Sequence, residues 1–394
     1  MKLDWELRLK QTGAGASGQE PTGAAIQSWL SQTFGISHRH HSTIKAMEGL
    51  RGFAAFLVFL VHYDGLVAPL VEHGSLEYQV NRILWNIGTA GVDLFFVLSG
   101  YVIYRLLIKK SWQFRDYLLR RLQRIYPTFL VVFGLYLMLS VVFSAESKIP
   151  HSSVNGGIYI LENLLLLPGM LDIRPMIAVA WSLSYEFFFY LAAPFLIVIF
   201  CLPAWRRGWR VTLFASLSVA GFCYSGLLHG GHVRLLMFIA GMLLYEATDS
   251  RAVDLPRWVG LSALLVALIA MPLLKWGAWR YVVLYVCFFF LCLDSFSTAG
   301  ITSRIFSWLP LRWYGNMSYS YYLVHGLALK AVFKFVTMLD AFSAWPGISW
   351  LLLLPIFLLT LVPAVLLFIF IEKPFSLNQP FTANGAAKAR KPQT

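Results

Sequence analysis

The sequence predicts an all-α polytopic integral membrane protein of about ten transmembrane helices, with both termini in the cytoplasm. Three observations carry this expectation. Apolar residues make up 58% of the chain and charged residues only 13%, roughly half the charge of an ordinary soluble domain, so most of the length cannot face water. Apolar runs of about 20 residues, enough to cross a hydrocarbon core of about 30 Å, follow one another along the chain, and no alternating barrel pattern is present. Lys and Arg sit in short segments between these runs, where they orient a membrane protein, so the formal charge of +13 does not point to nucleic acid.

Residues 1–44 are rich in Gly, Ser, Gln and charge and contain no apolar stretch that could act as a cleavable signal, which predicts a disordered cytoplasmic tail. The tract His38, Arg39, His40 and His41 lacks Cys or acidic partners, and no metal site is expected. A transmembrane domain is expected over 45–376, with spans near 47–70, 86–108, 127–145, 177–202, 211–228, 232–248, 258–275, 280–296, 314–338 and 348–371. Residues 377–394 are expected to form a second disordered cytoplasmic tail. The stretch 156–170, in which Leu164 to Leu167 precede Pro168, is too short to span and reads as re-entrant or interfacial. With the N-terminus inside, inner segments hold 24 of the 32 Lys and Arg and leave 8 for the outer side, which supports an N-in, C-in topology. Cys201, Cys223, Cys287 and Cys292 all fall in apolar runs and are expected to be small buried thiols, with no disulfide framework.

Ionisable groups at mid-bilayer depth are costly and mark candidate functional sites. His62, Asp93, Glu186 and His325 stand out. His62 lies eleven residues beyond Arg51, about 16 Å along a helix and within about 20° of the same face. His325 ends a polar stripe with Ser318, Tyr321 and Tyr322. Glu186 closes the run Trp181 to Glu186, and Asp93 enters the second span close to Ser99 and Gly100. Any one of these could be an interhelical hydrogen-bond partner; four at similar depth favour a reaction centre. Arg115, Arg120, Arg121 and Arg124, with Lys109 and Lys110 upstream, fall in the second inner loop before Pro127. Orientation alone accounts for some of them, but Arg forks also pair phosphate oxygens, so the loop is a candidate polyphosphate site built from side chains in the absence of a Gly-rich phosphate loop.

The stretch Glu48 to Ala55, ending at His62, resembles the first-helix signature of the acyltransferase-3 family of membrane O-acyltransferases. Gly91 to Tyr101, Arg120 to Pro127, Trp181 to Glu186, Tyr314 to His325 and Glu372-Lys373-Pro374 agree in order, so the similarity runs from about residue 44 to 376. The resemblance implies transfer of an acyl group, usually acetyl, from cytoplasmic acyl-CoA to a hydroxyl of a glycan or other acceptor, in the bacterial cytoplasmic membrane. Acyl-CoA (acetyl-CoA) is then a co-substrate, and no permanently bound cofactor is expected. Arg51 and His62 take the first-helix catalytic roles, with Glu186 and His325 as further catalytic candidates. Arg121 and Arg124, with Arg120 and Arg115, take the donor-binding role, and Asp93, Ser99, Trp181, Ser318 and Tyr322 complete the polar site. The N-terminal tail is longer than the family's usual leader, and a standalone domain with no hydrolase-like domain after the last span is expected. A transporter or flippase for a glycan or lipid-linked sugar is the alternative, since midplane charges also mark substrate paths; a non-catalytic scaffold is a third. The expected partners are acyl-CoA, a glycan or small hydroxylated acceptor and the lipid bilayer, not nucleic acid, with self-association into a homo-oligomer left open.

Overall fold

A computed structural model describes residues 23–35, 45–109, 112–228, 232–249, 255–338 and 347–377. The chain divides into two units, Met1–Ser37 and His38–Thr394. In the first, helix α1 (Gly23–Phe34) lies within the segment expected to be disordered. Its Ile26, Trp29, Leu30 and Phe34 recur at helical spacing. The rest of that tail, the His38 to His41 tract included, lies outside the described residues, as does the C-terminal tail beyond Leu377.

The second unit is helical throughout its described length, apart from turns and one isolated bridge between Pro168 and Leu171. It comprises α2 (Lys45–Val67), α3 (Leu76–Gly88), α4 (Gly91–Leu107), α5 (Phe114–Val142), α6 (Ser153–Leu164), α7 (Ala180–Ile199), α8 (Arg207–Leu228), α9 (Leu236–Thr248), α10 (Val259–Leu273), α11 (Ala278–Phe296), α12 (Ile301–Phe306), α13 (Leu309–Asn316), α14 (Ser318–Met338) and α15 (Ile348–Leu367), which runs on into a π-helix, Phe368–Leu377. Among the described residues, 7 helical stretches are long and apolar enough to cross a membrane. They correspond to seven of the ten expected runs. The other three form α9 with 13 residues, α10 with 15, and the α13–α14 pair. At 1.5 Å per residue α9 and α10 reach only about 20 Å and 22 Å.

Two features explain how short or polar helices are accommodated. Helix α9 buries Met237, Phe238, Ala240, Gly241, Met242 and Leu244, so protein rather than lipid surrounds most of it. It meets α4 backbone to backbone: a Cβ on Gly241 would stand 2.1 Å from the Val97 carbonyl oxygen, and one on Gly100 would stand 2.2 Å from that of Phe238. Small residues permit that approach. Helices α2 and α13 meet in the same way, a Cβ on Gly315 falling 1.7 Å from the Glu48 carbonyl oxygen, and the Glu48–Arg312 ion pair at 2.7 Å closes the contact.

The expected basic loop is not a loop. Residues 114–142 form one helix of 29 residues with Pro127 inside it. Proline is tolerated in membrane helices where neighbours satisfy the freed carbonyl, and buried Tyr117, Ile125 and Phe129 pack both sides of it into the core. A helix of this length extends about 44 Å, more than the thickness of the hydrocarbon core.

The stretch 156–170 is the 12-residue α6 followed by a reversal, with Leu166 at φ 56° and Gly169 at φ 95°. That helix rises about 18 Å, too little to span. The reversal is pinned where Ser184 Oγ donates to the Pro168 carbonyl. Cys287 and Cys292 are buried as expected, whereas Cys201 and Cys223 are exposed on the outside of the bundle, where the apolar run meets its surroundings instead of the core.

Candidate functional site

Among the described residues, one cavity of the second unit lies toward the N-terminal end of α2 and another toward its C-terminal end. The first, of about 140 Å³, is lined by Arg51 of α2, Ser99 of α4, Arg121 and Arg124 of α5, Glu186 of α7, and Ser318 and Tyr322 of α14. Glu186 accepts from Ser99 Oγ at 3.1 Å and from the Tyr190 hydroxyl at 2.5 Å, both at Oε1. Two hydroxyl donors therefore fix the orientation of this carboxyl group on the wall.

The basic side of this cavity is built by α5. Arg121 lies near the rings of Tyr117 and Tyr190, at 5.9 and 5.8 Å, and Arg124 lies 5.4 Å from Tyr319. Arg124 Nη1 donates to Glu372 Oε1 at 2.6 Å, and Glu372 Oε2 accepts from Ser320 N and Oγ at 3.0 and 2.6 Å. Fully buried Glu372 thus ties the basic helix to the helix that carries His325. Arg51 Nε and Arg121 Nε are buried without a hydrogen-bond partner among the described residues. Orphaned buried donors in a cavity are open to a ligand. Arg115 and Arg120, expected beside them, are exposed and do not line the cavity. Arg115 lies about 180° around the same helix from Arg124, and Arg120 lies one turn before Arg124, toward the start of the helix.

The second cavity, of about 400 Å³, is lined by His62, Trp85, Tyr136, Glu146, Lys148 and Lys330 among others. Arg51 and His62, expected on one face, both point toward α14, but each opens into a different cavity. Between the cavities stand Tyr322 and His325. The His325 and His62 rings meet edge-on with centroids 5.0 Å apart, and the Tyr322 and His325 centroids are 6.1 Å apart. His325 is fully buried, and its Nδ1 lies 3.0 and 2.9 Å from the carbonyl oxygens of Tyr321 and Tyr322. Carbonyls only accept, so Nδ1 carries the proton and Nε2 keeps its lone pair. That Nε2 has no partner among the described residues. Tyr322 is held by the Val179 carbonyl at 3.0 Å and Ser182 Oγ at 2.6 Å.

The four mid-bilayer groups therefore do not form one cluster. His62 and His325 touch, and Glu186 faces the first cavity. Asp93 lies apart, 3.4 Å from Arg234 Nη1, and that guanidinium sits near Trp181 and Tyr281 at 5.2 and 5.4 Å. Sequence depth alone could not tell these neighbourhoods apart, because helix rotation decides which way each group faces. Ser318 Oγ is buried beside the first cavity without a hydrogen-bond partner among the described residues. Glu372 and Tyr190 carry no site role in the sequence reading. The Glu-Lys-Pro stretch was the available signal for Glu372, but its partner Arg124 lies 248 residues away. The described residues hold no group of three or more His, Cys, Asp or Glu side chains that could bind a metal ion.

The sequence model of the acyltransferase domain family matches residues 44–369, a span that contains every helix from α2 to α15. Over 165 residues the chain is 35% identical to the acyltransferase MdmB of Streptomyces mycarofaciens, covering 38% of each protein. It is 25% identical to the peptidoglycan O-acetyltransferase OatA of Listeria monocytogenes, over 66% of this chain and 48% of that protein. With the putative peptidoglycan O-acetyltransferase YrhL of Bacillus subtilis the identity is 24%, over 85% of this chain and 55% of that protein. The chain spans about half the length of these last two relatives. No solved structure matches.

Proposed function

Since the chain belongs to the acyltransferase domain family, we propose that it is a multi-pass membrane O-acyltransferase that moves an acyl group, acetyl in the first instance, from cytoplasmic acyl-CoA to a hydroxyl of a glycan acceptor. The names of two relatives, a peptidoglycan O-acetyltransferase and a putative one, support the glycan. The bacterial cytoplasmic membrane is the location that these relatives and the inward bias of Lys and Arg favour.

The observation that carries this reading is the contact of His62 with His325 where two cavities approach from opposite ends of α2. In the N-in orientation, the first cavity faces the cytoplasm. It is too small for a whole coenzyme, so the polyphosphate would stay with the basic turns of α5 while the thioester arm enters past Arg51. Arg121 and Arg51 have donors to spare; Arg124 is already committed to Glu372. The acceptor hydroxyl enters the second cavity. His325 Nε2 can accept the N–H of His62, which leaves the other His62 nitrogen as a lone pair directed at the hydroxyl. As the hydroxyl oxygen bonds to the acyl carbon, its proton passes to His62. When the tetrahedral centre collapses, the carbon–sulfur bond breaks and His62 returns the proton to the coenzyme thiolate. A single in-line transfer needs one base, whereas an acyl-imidazole route would need a second base to activate the acceptor.

The test is incubation of the purified chain with acyl-labelled acetyl-CoA. Direct transfer predicts label on added cell-envelope glycan and none on the protein when acceptor is withheld. A stable acyl label on protein, lost in His62→Ala, would replace direct transfer with the covalent route. Import of an acceptor without thioester cleavage would make the chain a transporter.

A further inference from the structure

The mouth of the second cavity is positively charged, and orientation does not account for it. On the C-terminal side of α2, where the positive-inside rule calls for few basic residues, Arg82, Arg234 and Arg280 already have partners. Arg82 pairs with Asp64 at 3.4 Å, Arg234 pairs with Asp93, and Arg280 donates to the Asn86 carbonyl and Thr89 Oγ1 at 2.8 Å each. Lys148 and Lys330 instead line the cavity, and none of Lys148, Arg174 and Lys330 forms an ion pair among the described residues. Burial, and then the charges of Lys330 and Arg174, push the Lys148 ammonium below its usual range, which places the three cations within each other's fields. Lys148 spends two of its donors on the Pro175 and Met176 carbonyls, at 2.8 and 3.2 Å, so a third N–H is left. Glu146 lines the same cavity but pairs with none of them.

Lys148 and the exposed Lys330 line this half-open space, and Arg174 lies near Lys148, so three like charges with no ion pair among the described residues would be offset by an anion. The space of about 400 Å³ lies within the usual range of small-molecule sites, and Trp85 and Tyr136 give it flat aromatic walls. Along α14, Lys330 lies five residues from His325, about 7.5 Å of rise, with His62 against the same helix. We propose that the acceptor carries a carboxylate or phosphate within one sugar unit of the hydroxyl to be acylated, and that Lys330, with Lys148 and Arg174, reads that charge. The inference rests on the acyltransferase reading for the word acceptor; the anion site itself does not depend on it.

The experiment measures binding, so that it stands whether or not transfer is seen. The full chain, in nanodiscs of zwitterionic lipid, is titrated with methyl glucuronide, with methyl glucoside 6-phosphate and with neutral methyl glucoside. Both anionic glycosides should bind about tenfold tighter than the neutral one. Lys330→Gln should remove most of that preference, and Lys330→Arg should keep it. Equal binding of charged and neutral glycosides, no binding of any, or a preference that survives Lys330→Gln overturns the proposal. So does displacement of the charged glycosides by nanodiscs doped with anionic lipid, which would assign the cations to a headgroup. Labelled acetyl-CoA added to the same samples, with envelope glycan, tests the acyltransferase reading separately.

Discussion

At the scale of single residues, the sequence shows that His62 and His325 are out of place in lipid, but not that they touch. The contact, 263 positions apart in the chain, depends on the rotation of α2 against α14, which no local pattern encodes. The fixed tautomer of His325 follows only from its two backbone carbonyls. His62→Ala should reduce acyl transfer by about 10²–10⁴, the usual contribution of a general base, while membrane insertion is unchanged; transfer assays beside a quantified membrane fraction check this. On the donor side, the Arg121→Lys, Arg124→Lys double variant keeps the charge but loses the guanidinium forks. It should raise the dissociation constant for acetyl-CoA about tenfold, read by equilibrium binding. Unchanged donor affinity would leave those residues an anchoring role alone.

At the scale of elements, the long apolar helices α2, α4, α7 and α11 are legible because each is a run of membrane length bounded by charge or turn residues. The basic segment 114–126 was not. Proline reads locally as a boundary, yet tertiary packing of Tyr117 and Ile125 carries the helix straight through Pro127. That continuity gives the cavity its basic wall, since it brings Arg121 and Arg124 to the cavity lining while Arg115 and Arg120 stay exposed. Helix α9 was legible as apolar but not as short. Its closeness to α4 makes a clear prediction: Gly241→Val forces a side chain against the Val97 carbonyl and should destabilise the protein by about 1–3 kcal/mol, or more if α4 cannot shift. A thermal unfolding midpoint in detergent equal to that of the unsubstituted chain would show that the α4–α9 contact is looser than described.

At the scale of the whole molecule, composition alone identifies a membrane bundle, and the order of the motifs identifies the family domain that 44–369 matches. The expected four-residue reaction centre was too coarse. Three neighbourhoods exist instead: a basic cavity with Glu186, a His62–His325 partition, and the Asp93–Arg234 pair. The account requires the two cavities to open to opposite sides of the bilayer. Reporter fusions at Ser152, between α5 and α6, should therefore read external, and fusions after Lys391 should read cytoplasmic; a cytoplasmic signal at Ser152 would place both cavity mouths differently.

The central claim is that acyl groups pass from acetyl-CoA to a glycan at the meeting point of His62 and His325. Membrane vesicles containing the chain, or its His62→Ala variant at equal abundance, can be supplied with acetyl-labelled acetyl-CoA and their glycan fraction counted for base-labile label. The account predicts label with the unsubstituted chain and background counts with the variant. Equal label in both, or none above vesicles that lack the chain, would contradict it.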